Sequence, residues 1–259
     1  MPAPPLRGST YGRIVHPPVP SRTGTMNAPM AVCPASPVSC GSTTSSDGRE
    51  DPVKSSNRPP ETGATDAAVA VAETRAWIDR AVVGLALCPF AAAALRGGRT
   101  RLVCSGATDA KALLGDFIDE VRHLVGAPAT ELETTLLVAP FVLADFDVYN
   151  DFLDDVDRAL HALDGDGALQ VASFHPRYRF AGTRADDITN ATNRSPYPVL
   201  QLLREDSVAA ALASIGDSSA IYERNIATMR ALGRDGWAEL RAACRRDALV
   251  AAPPRSTDG

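Results

Sequence analysis

Between Phe174 and Glu205 the chain reads FHPRYRFAGTRADDITNATNRSPYPVLQLLRE, which gathers a histidine, five arginines, two adjacent aspartates and two asparagines. His175 carries the widest range of chemistry: general acid or base, a cation for a phosphate, or a metal ligand. It can equally be a histidine that fixes loop backbone, and Pro176 beside it suits a set turn. Asp186, Asp187, Asn190 and Asn193 offer oxygen donors of the kind that hold Mg²⁺ or Ca²⁺ or position a substrate. Their spacing is not that of a calcium loop, and Asp187 or Asn190 can simply cap a turn of helix at 189–193. Arg194 presents a planar fork suited to a carboxylate or phosphate, or to an internal salt bridge with Asp187 or Glu205. Cys88, in LALCPF, is a candidate nucleophile or a packed thiol. His175 lacks a His or Cys partner at ligand spacing, so no metal set is assigned, and the sequence identifies no cofactor.

These residues need elements to hold them. From 175 to 198 there is neither helical nor strand periodicity, and a loop this long inside a compact domain is usually functional or disordered. Phe174, Tyr178, Phe180, Tyr197, Leu200 and Leu203 require burial, which argues for order. Upstream, Trp77, Ala81, Gly84, Leu85 and Cys88 recur at helical spacing up to Pro89. Arg101–Ser105 is a strand candidate, and Asp109 is the expected N-cap of a helix with Leu113, Phe117, Val121 and Leu124 on its inner face. Thr134–Pro140 reads as a buried strand. Asp145 caps a helix carrying Tyr149, Leu153, Val156 and Leu160, which ends in Asp164-Gly165-Asp166-Gly167, and Leu169–Phe174 is the third strand.

The expected fold is α/β: a small sheet built from a β-α-β-α-β core, flanked by helices, with a C-terminal helical segment. Crossovers of this length allow parallel pairing. Parallel strands would place a ligand at their carboxyl ends, at Ser105, Pro140 and His175. On that reading Glu133 lies at the wrong end and stays outside the site. Ser195 is expected to cap a helix with Pro196 in its first turn. Asp206 or Ser207 would start another that ends at Gly216. Asp217 would start a third, with Tyr222, Ile226 and Met229 inward and its end at Gly233. A last helix would pass through Trp237.

Composition narrows the class. The 45% hydrophobic content fits a globular chain, and no apolar run reaches the ~20 residues of a membrane-spanning helix. Net charge is −5, and the acid-free stretch 1–46 contributes Arg7, Arg13 and Arg22. The rest is therefore more acidic still, a poor match for nucleic acid. Five cysteines without a CxxC pair suit reduced thiols and a cytoplasmic location. Residues 1–65, rich in Pro, Ser, Thr and Gly, are expected to be disordered. They would be a targeting segment or the product of an early start, with Met26 or Met30 as the true beginning. Residues 66–250 are expected to form one domain and 251–259 a loose tail.

LCPF at Leu87–Phe90, ETTLLV at Glu133–Val138, YNDFL at Tyr149–Leu153 and the run from Phe174 to Glu205 resemble the uncharacterised family called domain of unknown function 1415. The resemblance spans about Thr74 to Leu240. It implies no activity. Members often carry a histidine where Gln201 stands and an aspartate where Arg177 stands, so a two-histidine metal site would be half lost here.

The function expected from the residues is an enzyme, a hydrolase or group transferase, acting on a small anionic metabolite in a pocket walled by 175–198. His175, Cys88 and Asp187 would carry the chemistry. Arg194, Asn190, Asn193, Asp186 and Glu205 would hold the ligand. A ligand-binding or sensory domain without turnover is the first alternative, and a purely structural clasp is the second.

Overall fold

A computed structural model of the chain describes residues 67–88, 90–163, 168–215 and 218–251. The expectations for 1–65, for Pro89, for the turn 164–167, for Gly216 and Asp217 and for the tail beyond Ala251 lie outside the described residues. The elements run α1 (Ala67–Trp77), a π-helical turn (Ile78–Val83), α2 (Ala91–Arg96), β1 (Thr100–Cys104), α3 (Ala110–Gly126), β2 (Thr134–Val138), α4 (Phe146–Ala162) and β3 (Leu169–Phe174). A 3₁₀ turn (Ile188–Asn193), β4 (Val199–Arg204), α5 (Glu205–Ile215) and α6 (Ser218–Ala251) complete them. The fold is α/β, with a mixed four-stranded sheet in the order β1-β2-β4-β3.

The β-α-β-α-β reading holds, with one strand added. β1 and β2 pair in parallel. β4 lies antiparallel between β2 and β3, so β3 runs with β1 and β2 but touches neither. β4 occupies the stretch where Ser195-Pro196 was expected to open a helix. Pro198 is the reason: the residue before a proline is driven out of the α region, so no helix runs through Tyr197 and the chain enters the sheet directly after Pro198. Val199, Leu200 and Leu202 are all essentially inaccessible, because a central strand is covered on both faces.

Two helical layers cover the sheet. Leu113, Phe117, Val121 and Leu124 of α3 and Tyr149, Phe152, Val156 and Leu160 of α4 pack on Leu137, Leu169, Leu200 and Leu202. Both helices start where expected. Asp109 accepts from Ala112 N at 2.9 Å, and Asp145 accepts from Asp147 N at 2.9 Å and Val148 N at 3.3 Å. On the opposite face Trp77, Ile78, Ala81, Met229, Trp237 and Cys244 meet Leu136, Val138 and Val199.

The first helix departs from expectation. It loosens after Trp77 into a π turn in which Gly84 N donates to Asp79 O at 3.0 Å, five residues back. Ala86 then takes a left-handed conformation with φ of 53°. Cys88 follows that turn and is not the last residue of a helix.

α6 carries both later expectations in modified form: Met229 is buried, but Tyr222 is 57% exposed and faces outward. Its two halves meet at Gly233, with φ 68° and ψ 180°, a region open to glycine almost alone. No atom lies within 4 Å of a Cβ placed there. Gly233→Ala therefore isolates backbone strain, and a urea denaturation curve should show a loss of about 1–3 kcal/mol. An unchanged midpoint would mean the two halves do not need this angle.

Candidate functional site

His175 follows directly on β3, and the structure seals it. Its side chain is fully buried, tilted against Phe146 (5.4 Å between ring centres) and Tyr149 (5.0 Å). Nε2 lies 3.0 Å from Leu143 O, and Nδ1 accepts from Arg177 N at 3.0 Å. A carbonyl can only accept, so the ring is neutral with its proton on Nε2. Burial holds His175 below the ordinary histidine range, against the opposing pull of the Leu143 bond. The carbonyl it holds belongs to a residue with φ of 58°, so the ring clamps a strained turn ahead of α4. Arg177 reinforces the clamp by donating to Ala144 O at 2.6 Å and Asp145 at 3.2 Å.

The other loop candidates close on one another. Asp187 caps the 3₁₀ turn by accepting from Thr189 N (2.9 Å) and Thr189 Oγ1 (2.8 Å). Asn190, fully buried, accepts from Phe180 N at 3.0 Å and Thr183 Oγ1 at 2.8 Å, and donates to Arg184 O at 2.8 Å. Asn193 donates to Ser173 O at 3.2 Å. Asp186 sits on the surface between Arg184 (3.2 Å) and Arg234 (2.8 Å), whose bonds and charges hold its carboxyl below the usual range. Arg194 commits the Nε/Nη2 edge of its fork to Tyr178 O (3.2 Å) and Ala185 O (2.6 Å). Its salt bridge to Glu205 or Asp187 does not form, and Glu205 is exposed in the first turn of α5. The expected assembly of His175, Asp186, Asp187, Asn190, Arg194 and Glu205 around one pocket is therefore corrected. Buried polar groups must find partners, and here they find them in the loop itself.

Open space lies elsewhere, in a cavity of about 300 Å³ on the α1/α6 face of the sheet. Its floor is Thr100, Thr134, Leu136, Ala172, Phe174, Gln201 and Leu203. Trp77, Ile78 and Val82 from α1 and the π turn roof it, with Leu87, Cys88, Ala91, Ala94 and Leu95 behind them and Asn225 and Ile226 from α6. The loop supplies one wall through Phe180, Thr183, Thr189, Thr192 and Asn193. Thr100, Glu133 and Thr134 stand at the amino ends of β1 and β2, so the cavity extends to the end opposite to that expected for parallel strands. β4 explains this: once it pairs with β2, the crevice rule for adjoining parallel strands no longer applies beyond β1/β2. Glu133, excluded by that rule, lines the cavity.

Of the expected site residues, Cys88 and Asn193 reach this cavity. Cys88 is partly buried, and burial pushes its thiol up, outweighing the backbone N–H groups of Phe90 and Ala91. His175 is not among the lining residues. The polar lining that sequence reasoning missed is Thr100, Glu133, Gln201 and Asn225. The one available signal was Gln201, a lone amide inside the apolar run VLQLLR. Among the described residues no group of three or more His, Cys, Asp or Glu side chains could hold a metal ion, and no helix is long and apolar enough to cross a membrane.

Fold and cavity together define an α/β domain with a mainly apolar recess between a mixed sheet and its helical cover. The family model described as "Protein of unknown function (DUF1415)" matches residues 69–239, and the chain belongs to that family. No curated protein and no solved structure matches it.

Two measurements check the role of His175. His175→Ala removes a buried ring and strands the Leu143 carbonyl, and should cost about 3–5 kcal/mol in chemical denaturation. Because its folded pKa is lowered, the unfolded chain takes up the proton first as pH falls. Wild-type stability should therefore be full above about pH 6.5 and decline below it. His175→Gln should flatten that decline, and an identical pH profile in the variant would assign the effect to other groups.

Proposed function

We propose that this protein binds a small, largely apolar molecule in the cavity between the sheet and α1, α2 and α6, without turnover. The observation that carries the reading is the cavity itself: about 300 Å³, walled by Trp77, Ile78, Val82, Leu87, Leu136 and Phe174, with a few polar groups among them. Ligand sites are typically recesses of this kind, mostly apolar with few placed polar groups, from about 300 Å³ upward. Binding is favoured over catalysis because the lining brings Cys88 no imidazole and no base within hydrogen-bond reach, while burial disfavours its thiolate. The polar loop then serves as a clasp that fixes the cavity wall. Free thiols at Cys88, Cys104 and Cys244 support a reducing, cytoplasmic setting.

The test is a neutral apolar probe. N-phenyl-1-naphthylamine should bind the purified protein saturably, with rising, blue-shifted emission. Ala172→Trp or Ala91→Trp, each filling the cavity from a different side, should weaken binding at least tenfold. Asp186→Ala, in the loop but outside the cavity, should bind the probe as the wild type does. Equal binding by both tryptophan variants would remove the cavity from consideration.

A further inference from the structure

The polar groups of this cavity are not a random mixture of donors and acceptors. Gln201 Nε2 lies 3.0 Å from Thr134 Oγ1, and Thr134 Oγ1 lies 2.7 Å from Leu202 O. The Leu202 carbonyl must accept, so the threonine proton goes to it and the hydroxyl oxygen accepts from the glutamine amide. That order fixes the amide orientation and leaves Gln201 Oε1 as an acceptor. The same logic applies at Asn225, where Nδ2 donates to Leu87 O at 2.8 Å and leaves Oδ1 buried with no partner. Glu133 Oε2 forms a salt bridge with Arg99 Nη2 at 2.9 Å but accepts no aligned N–H, so its charge is paired while its lone pairs stay open to a donor. Thr100 Oγ1 on the neighbouring strand also has no partner.

The arginine and the wall threonines, by contrast, have their donors engaged, which leaves Thr100 as the one hydroxyl of this group without a partner. Arg204, the one cation on the lining, turns Nε to Leu132 O (3.1 Å) and Nη2 to Leu124 O (2.7 Å) and Ala127 O (2.6 Å), capping the end of α3. The wall threonines Thr183, Thr189 and Thr192 direct their hydroxyl protons into the loop. The lining therefore offers three acceptor oxygens, one of them on a carboxylate, and no uncommitted guanidinium edge of the kind that grips an anion. Aromatic faces add to the same sign. In a chain with 5% aromatic residues, Trp77, Phe90, Phe174 and Phe180 line this one cavity. Ring faces attract cations.

Resting on the binding reading above, we propose that the ligand is a primary amine in its ammonium form, carried on an aromatic or branched aliphatic body. The ammonium presents three donors and no acceptor, matching Glu133, Gln201 and Asn225, and the apolar body fills the space beneath Trp77 and Val82. An anionic ligand would instead find three acceptor oxygens and, for donors, only the Thr100 hydroxyl among the groups named.

Three probes of one shape decide it: 2-phenylethylamine, 2-phenylethanol and 3-phenylpropionate, each competing against N-phenyl-1-naphthylamine at pH 7. The amine should displace the probe at a concentration at least tenfold lower than the alcohol or the carboxylate. Glu133→Gln should reduce that advantage about tenfold, measured against the variant's own affinity for the neutral probe. Gln201→Met, which keeps size and loses the acceptor, should reduce it as well. An alcohol or carboxylate as effective as the amine, or an amine advantage untouched in both variants, overturns the ammonium assignment. Those outcomes leave the cavity reading standing, whereas failure of the wild type to bind the neutral probe defeats the cavity reading itself.

Discussion

The position of β4 governs the rest of the architecture. It enters antiparallel between β2 and β3, with Gln201 opposite Leu136 on one side and Ala172 on the other. A sheet alternates its side chains between faces, so a slip of one residue would exchange the two sets completely. Leu200 and Leu202 would then leave the α3/α4 core, and Gln201 would be buried within it. The same pairing joins Phe174 to Val199, so 175–198 is the connection of a long hairpin whose ends are held side by side. A connection with tethered ends has to fold back on itself, and this one does so over the edge of the cavity.

Its density of polar side chains follows from that path. Backbone buried in an irregular loop leaves N–H and C=O groups without the partners a helix or sheet would supply, and each such group costs free energy if left alone. Asn190 serves two of them, Arg194 serves two, and His175 links the loop to the turn before α4. The side chains with the most versatile chemistry are thus engaged in replacing secondary structure. Polar atoms left unanswered sit on or next to the regular elements instead, at Thr100, Glu133 and Asn225 among others.

That contrast explains how far the sequence could be read. Helices α3 and α4 were legible because each has one buried stripe and an aspartate cap, and β2 because five buried residues in a row leave few other structures. β4 was obscured by Ser195-Pro196, which imitates a helix start, and by the absence of alternation in a strand covered on both sides. The order and extent of the loop were visible in its spaced aromatics. Its purpose was not, since a hydrogen bond to a carbonyl and one to a ligand require the same side chain. The cavity draws on residues from Trp77 to Ile226, most of them apolar, and their convergence depends on a strand order that no local pattern encodes.

The π turn at Ile78–Val83 carries a consequence for how such a recess changes over time. Its hydrogen-bonded rings hold one residue more than those of the α-helix leading into it. Removing one residue there would restore the α register and rotate the side chains of this turn by about 100° relative to the sheet. Ile78 and Val82 would no longer share the roof with Leu87 and Cys88, while the strands beneath would keep their pairing. Chain length in this short stretch, more than the identity of any side chain, is then the variable through which lineages of this fold can open, reshape or abolish the recess.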